Sequence, residues 1–292
     1  MTNTIPGRVK GFSLIELMVA LAIGLLVTLV VIQAYLSGLG TQRAQTDIGR
    51  AQESSRFAFD LMARSLRKAG YKNPKAPGTG FCDGSNVPRI AVSNDPAAIT
   101  ASNFGTAATI VNNSDVIQVR YFGEGLSTAP FTTDGTMRDC LGNTIASNTQ
   151  VSDTFFVAAD PSNNNEPALF CYSSNATGSG NVALVPGVES MQLLYGEDTD
   201  GDGAINRYVP GSAITNANAN NVRSAMVSLV TRTANANAVD RSAQTINHFG
   251  TSYAAGNSAP SGDAGSVFAT PADGRTRQHF STTIALRNLC PV

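Results

Sequence analysis

The chain is predicted to be an α+β protein, with one long N-terminal helix packed on a mainly antiparallel β-sheet head. Three observations predict this. An apolar run without proline fills Phe12 to Leu36. Apolar residues then recur at spacings of three and four as far as Ala69. Beyond Pro74 short apolar segments alternate with Asn-, Ser-, Thr- and Gly-rich stretches, as strands and loops do.

Composition sets the bounds. The 292 residues allow one large or two small domains, at roughly 100–200 residues each. Hydrophobic residues are 42%, enough for a sizeable core, while charged residues are only 14%, against about 25% in an ordinary soluble domain. That balance suits an exported, loop-rich chain better than a cytosolic enzyme. With 20 Lys+Arg against 21 Asp+Glu, the net charge of −1 rules out a global polycationic field. No nucleic-acid partner is therefore expected. Two histidines, His248 and His279, are too few for a multi-histidine metal centre.

The N-terminal segment comes first. Arg8 and Lys10 precede the apolar run with no acid nearby, and Glu16 is the one charge from Phe12 to Leu36. The run is long enough to span a hydrocarbon core of about 30 Å. The basic residues hold the first eleven residues in the cytoplasm, so the rest is translocated. A secretory signal peptide fits poorly, because the apolar stretch is too long and no small-x-small site leads into a polar sequence. A carboxylate within a spanning helix costs about 2.5–3.5 kcal/mol. Glu16 is therefore expected to have a function and a partner.

Gly11-Phe12-Ser13-Leu14-Ile15-Glu16, followed by an uninterrupted apolar helix, resembles the processing site of type IV pilins and type II secretion pseudopilins. The resemblance implies that prepilin peptidase, a membrane aspartic protease, cuts after Gly11 and N-methylates Phe12. It also implies a role for Glu16, which neutralises the N-terminal amine of a neighbouring subunit in the filament. Two charges costly in lipid then become a pair between helices. On this reading residues 1–11 are a cytoplasmic leader, 12–36 a transmembrane and filament-core helix, 37–70 the amphipathic half of the same helix, and 71–292 a globular β-rich head.

In the amphipathic half, Ala44, Ile48, Ala51, Ser55, Phe59, Met62, Leu66 and Ala69 share one face. Arg43, Asp47, Arg50, Glu53, Arg56, Arg64, Arg67 and Lys68 are placed largely elsewhere. Gly70 is the expected C-cap, with Pro74 beyond it. A helix from Phe12 to Ala69 would be about 87 Å long at 1.5 Å per residue. Gly24, Gly38, Gly40 and Gly49 are its expected weak points, each costing about 1 kcal/mol against Ala. In the head, strands are expected at 115–122, 151–158, 168–172, 188–195, 222–232 and 277–289. Segments 216–221, 233–239 and 258–263 are read as surface loops.

The segments Val188 to Gly203, Val222 to Arg232 and Phe280 to Asn288 resemble PilW-type minor pilins. The resemblance implies the pilin fold and a low-abundance subunit that helps to start and cap the pilus. Its implied partners are other minor pilins, the major pilin and a tip adhesin, and its implied output is twitching motility. The chain would sit in the inner membrane with its head in the periplasm, then at the pilus tip. A minor pseudopilin of type II secretion is the alternative, and a calcium-dependent tip adhesin the second. No catalytic set is visible, and an enzyme is not expected.

The four cysteines, Cys82, Cys140, Cys171 and Cys290, form no C-x-x-C pair, so zinc is not expected. All lie on the translocated side, where disulfides persist. Three pairings are open. Cys140 and Cys171 flank an expected hairpin, and the family has similar cysteines in this place. The resemblance thus implies Cys140–Cys171, which leaves Cys82–Cys290.

Asp198-Thr-Asp-Gly-Asp-Gly203 offers oxygens at alternate positions with Gly sixth, a pattern that suits Ca²⁺. Asp198, Asp200 and Asp202 would ligate directly, Ala204 through its carbonyl and Asn206 through a water. The twelfth position is Val209, not the Glu of an EF-hand, and no flanking helix is expected. The competing reading is a Gly-rich hairpin turn between Tyr195 and Tyr208. Arg223, Arg275, Arg277 and Arg287 are read as solvated strand flanks rather than a DNA-binding patch.

Overall fold

Helix α1 runs from Leu14 to Leu66 in a computed structural model of the chain. The structure describes residues 11–78, 80–81, 88–93, 109–176, 180–236, 241–256 and 263–288. The chain divides into two units, residues 1–46 and 47–292. In the first, the helix is unbroken at Gly24, Gly38 and Gly40. From Phe12 to Leu36 its apolar side chains point to every side and are exposed. The helix is long and apolar enough to cross a membrane. A helix that is apolar all round needs lipid or other helices about it.

In the second unit, the last turns of α1 bury one face: Ala51, Ser55, Ala58, Met62, Ala63, Ser65 and Leu66. Asp47, expected among the polar positions, is buried as well. The Asn235 side-chain amide donates to both its carboxylate oxygens, at 3.0 and 3.3 Å. The regular helix ends three residues before Ala69. The N–H groups of Lys68 and Ala69 instead bond three residues back, which tightens the final turn. Gly70 then takes φ +79°, and a Cβ there would lie 2.9 Å from the Asn288 carbonyl oxygen. The Asn288 amide sits 3.2–3.3 Å from the carbonyl oxygens of Arg67, Lys68 and Ala69, the last acceptors of the helix.

The head holds two main antiparallel sheets rather than one. The first has five strands in the order β1 (Ile90–Ser93), β2 (Val116–Phe122), β3 (Gln150–Asp160), β4 (Glu166–Ser173) and β5 (Asn181–Pro186). The second has four, in the order β11 (Arg277–Ala285), β8 (Val222–Arg232), β6 (Val188–Glu197) and β7 (Arg207–Pro210). Between β8 and β11 in sequence lies a small two-stranded ladder of β9 (Thr245–Asn247) and β10 (Val267–Ala269), with a short helix, α2 (Thr251–Gly256). Each of the six longest strands matches an expected segment; β1, β5, β7, β9 and β10 were not expected.

One core joins helix and sheets: Met62 and Leu66 share one buried cluster with Ile117, Val119 and Tyr121 of β2, Phe155 of β3, Leu193 and Tyr195 of β6, and Val227 and Leu229 of β8. Asp115 stitches the sheets at their junction. Its N–H donates to the Met191 carbonyl at 2.8 Å, and its carboxylate accepts the Leu193 N–H at 2.7 Å.

Candidate functional site

Three places carry the residues singled out above. At the N-terminal end, Gly11 and Phe12 precede the helix and are exposed, Phe12 at 91%. The peptide bond between them lies outside the regular helix, as a protease needs it. Ser13 and Glu16 form a capping box. The Glu16 carboxylate accepts the Ser13 N–H at 2.9 Å and its hydroxyl at 3.0 Å, while the Glu16 N–H donates to Ser13 Oγ at 3.2 Å. This intrachain duty was missed in the sequence, although Ser-x-x-Glu ahead of an apolar run announces it. The box holds the carboxylate at the positive end of the helix dipole.

The second place is the disulfide region of the head. Cys140 and Cys171 are bonded, with Cα atoms 6.5 Å apart. Cys82 and Cys290 lie outside the described residues. Next to the bridge, Asp153 is fully buried on β3. It accepts Tyr121 Oη at 2.6 Å, Ser65 Oγ at 2.9 Å and the Cys140 N–H at 3.1 Å. Lys68 Nζ stands 3.6 Å away. Burial pushes Asp153 up and Lys68 down, each against the pull of the other's charge. These contacts fasten the end of α1 to the first sheet.

The third place is the acidic loop, which forms the tip of the β6–β7 hairpin, with Tyr195 opposite Val209 and Gly196 opposite Tyr208. Oxygens of Asp198, Asp200 and Asp202 fall within 4.8 Å of one another. Their present partners are nearer home. Asp198 is buried and bonded to Arg223 at 2.8 Å, and it accepts the N–H groups of Gly201 and Gly203 at 2.7 and 3.0 Å. Asn206 Oδ1 accepts the Thr199 N–H at 2.6 Å. Asp200 and Asp202 are exposed; Asp200 accepts the Asp202 N–H at 3.5 Å, and Asp202 accepts the Ala204 N–H at 2.7 Å. The donor set suits a hard cation, and a guanidinium already balances its innermost carboxylate.

The arginines do not assemble into a basic patch. Arg275 makes a bidentate pair with Glu166 at 2.8 and 3.0 Å. Arg277 grips Glu189 at 2.7 Å and Asp273 at 2.6 Å, and Arg232 bridges Glu166 and Glu189. Three cations and three anions form one partly buried network. Hydrogen bonds from Arg277 hold the Asp273 carboxyl well below its usual range.

The two histidines also meet. Ser228 Oγ on β8 lies 2.8 Å from His248 Nδ1 and 2.7 Å from His279 Nε2. His248 Nε2 lies 3.0 Å from Ser190 Oγ on β6. Nothing local in the sequence pairs residues 31 apart in number.

Comparison with known proteins places these features. Residues 7–32 match the family model of the prokaryotic N-terminal methylation motif. Residues 154–288 match that of type IV pilus-assembly protein W, PilW, from within β3 to just beyond β11. A type IV-like pilin of Thermus thermophilus, TTHA1219, is similar in structure at 14% identity and a TM-score of 0.43, over 82% of this chain and 99% of that one. No curated protein matches the chain. With a methylation motif over the start of its apolar helix and the PilW model over its head from within β3 onward, the chain is a PilW-like type IV pilin.

Proposed function

We propose that the protein is a minor pilin that helps to initiate type IV pilus assembly and forms part of the tip complex. The match of residues 154–288 to a pilus-assembly protein carries this reading. Prepilin peptidase cleaves behind Gly11 and methylates Phe12. The apolar helix holds the subunit in the inner membrane, with the head in the periplasm, until Glu16 engages a neighbour's new N-terminus. Other minor pilins, the major pilin and a tip adhesin are the partners. The role is structural rather than catalytic. A clean deletion tests it. Loss of surface pili and twitching with type II secretion intact is the expected result, and intact pili with failed secretion would move the protein to the pseudopilus.

We also propose that the hairpin tip takes Ca²⁺ as a loop-pinning ion, with Asp200 and Asp202 as its accessible ligands and Asp198 shared with Arg223. Excess calcium is then expected to raise the melting temperature of the full chain in detergent by about 2–4 °C, the effect of about 1 kcal/mol in a domain of this size. Asp200→Asn with Asp202→Asn should abolish the rise. An unchanged melting curve would leave the guanidinium as the loop's sole counter-charge.

A further inference from the structure

A small cavity lies between residues 241–244 and 270–277, beside the start of β11. Its volume is about 140 Å³, well below the roughly 300–1,000 Å³ of a site for a whole small molecule. A single polar group is what such a space admits. Three arginines line it, Arg241, Arg275 and Arg277, together with Gln244, Gly274 and Thr276. No acidic residue lines it among the described residues.

The three cations differ in what they already hold. Arg277 directs every side-chain nitrogen to Glu189 or Asp273. Arg275 sets both terminal nitrogens on Glu166. Asp273, next to Gly274 in the chain, has both oxygens on Arg277. With Arg232 these side chains balance cations against anions. Arg241 stands outside that balance: it is exposed and makes no hydrogen bond or ion pair among the described residues. Its place is nonetheless set. A Cβ on Gly274 would lie 3.1 Å from Arg241 Nε, 3.2 Å from Cγ and 3.3 Å from Cδ, so the side chain lies close over the glycine. Gly274 has φ +72°, and both the bend and the close approach call for glycine. Other donors at the cavity are free as well. The Gln244 side-chain amide, the Thr276 hydroxyl and the Gly274 N–H donate no hydrogen bond among the described residues.

We propose that this cavity binds the oxyanion of a phosphate group, with Arg241 as its counter-charge and Gln244, Gly274 and Thr276 as further donors. An unbalanced guanidinium among free N–H and O–H donors, with no acid in the wall, recognises an oxyanion. The donors come from two segments of the chain, on either side of the cavity. Such an array suits a tetrahedral anion, whereas a planar carboxylate is held by one guanidinium fork alone. The bound group bridges residues 241–244 and the segment leading into β11. The inference is independent of the pilus reading.

Equilibrium dialysis of radiolabelled inorganic phosphate against the full chain in detergent, in calcium-free buffer at physiological ionic strength, tests it. Saturable binding with a Kd of about 1 mM or tighter is expected, the strength of a few charge-assisted hydrogen bonds. Arg241→Gln should weaken it at least about tenfold. Arg241→Lys, which keeps the charge without the fork, should weaken it about threefold. Arg50→Gln removes another exposed arginine that has no partner among the described residues, and should change the affinity less than about twofold. Neither Arg241 nor Arg50 holds the fold together, and unchanged melting temperatures check that. Acetate should compete at least about tenfold more weakly than phosphate. Glycerol 3-phosphate competing as well as phosphate would assign the group to a monoester on a larger molecule; competition by inorganic phosphate alone would assign the free ion. Binding that does not saturate below about 10 mM, equal affinity in Arg241→Gln, an equal loss in Arg50→Gln, or acetate competing as well as phosphate would overturn the proposal.

Discussion

Glu16→Gln is expected to leave the protein processed and membrane-inserted but absent from assembled pili. The substitution separates two duties of one side chain. Gln at the third helical position can still accept the Ser13 N–H, so the capping box and the start of α1 survive. The charge does not survive, and with it would go the proposed pairing with a neighbour's amine. An uncompensated ammonium among apolar helices costs several kcal/mol, enough to reduce incorporation by a factor of 100 or more, at about 1.4 kcal/mol per tenfold. Glu16→Leu should fail in the same way, with a less defined helix start. Counting tagged subunits in sheared pili against the membrane pool decides it. Normal incorporation of the Gln variant would mean that capping is the whole of Glu16's work.

Asp153→Ala is the most damaging single change expected within the head, at about 3–5 kcal/mol of stability. It strips the acceptor from the hydroxyls of Tyr121 and Ser65 and from the Cys140 N–H, and leaves the Lys68 charge without its nearest anion. Asp153→Asn keeps the shape and an acceptor and should cost less than half as much. The pH dependence of the pair has a sign. Burial raises Asp153 and lowers Lys68, so the folded state holds Asp153's proton above the range where an unfolded Asp has released it. Asp153 alone therefore adds stability toward acid, lost as pH climbs through its raised value, and Asp153→Asn should remove that slope. Urea denaturation of the full chain in detergent across pH measures both effects.

Much of this architecture is written locally in the sequence. The processing site is legible because its residues are contiguous and its apolar run unbroken. Strands β2, β3, β4, β6, β8 and β11 are legible because each runs for seven or more residues and carries several apolar ones. In contrast, β1 and β7 have four residues each and lie at sheet edges, where neighbours rather than patterning recruit them. Ion pairing is not legible either. Glu166 and Arg275 stand 109 positions apart, and Asp47 lies 188 from Asn235. The acidic loop shows the same divide. Its alternating carboxylates are plain to read, but the guanidinium that occupies Asp198 comes from β8 and reaches it only through the fold.

The capping of α1 by Asn288 has a kinetic consequence. A helix end normally finds its partners within a few residues, yet here three carbonyls wait for an amide about 220 positions later in the chain. Strand β11, just before Asn288, completes the second sheet only when it reaches β8, and the five-stranded sheet is tied to that one through Asp115. Closure by such distant contacts is slow, in the range of milliseconds to seconds for β-rich topologies. A chain threaded through the membrane from its N-terminal side would therefore expose its unfinished sheet edges for the whole of transit, and would lock only after the last strand arrived. For a head exported in this way, folding would follow transit, and the unlocked interval is when a holdase on the far side would find its substrate.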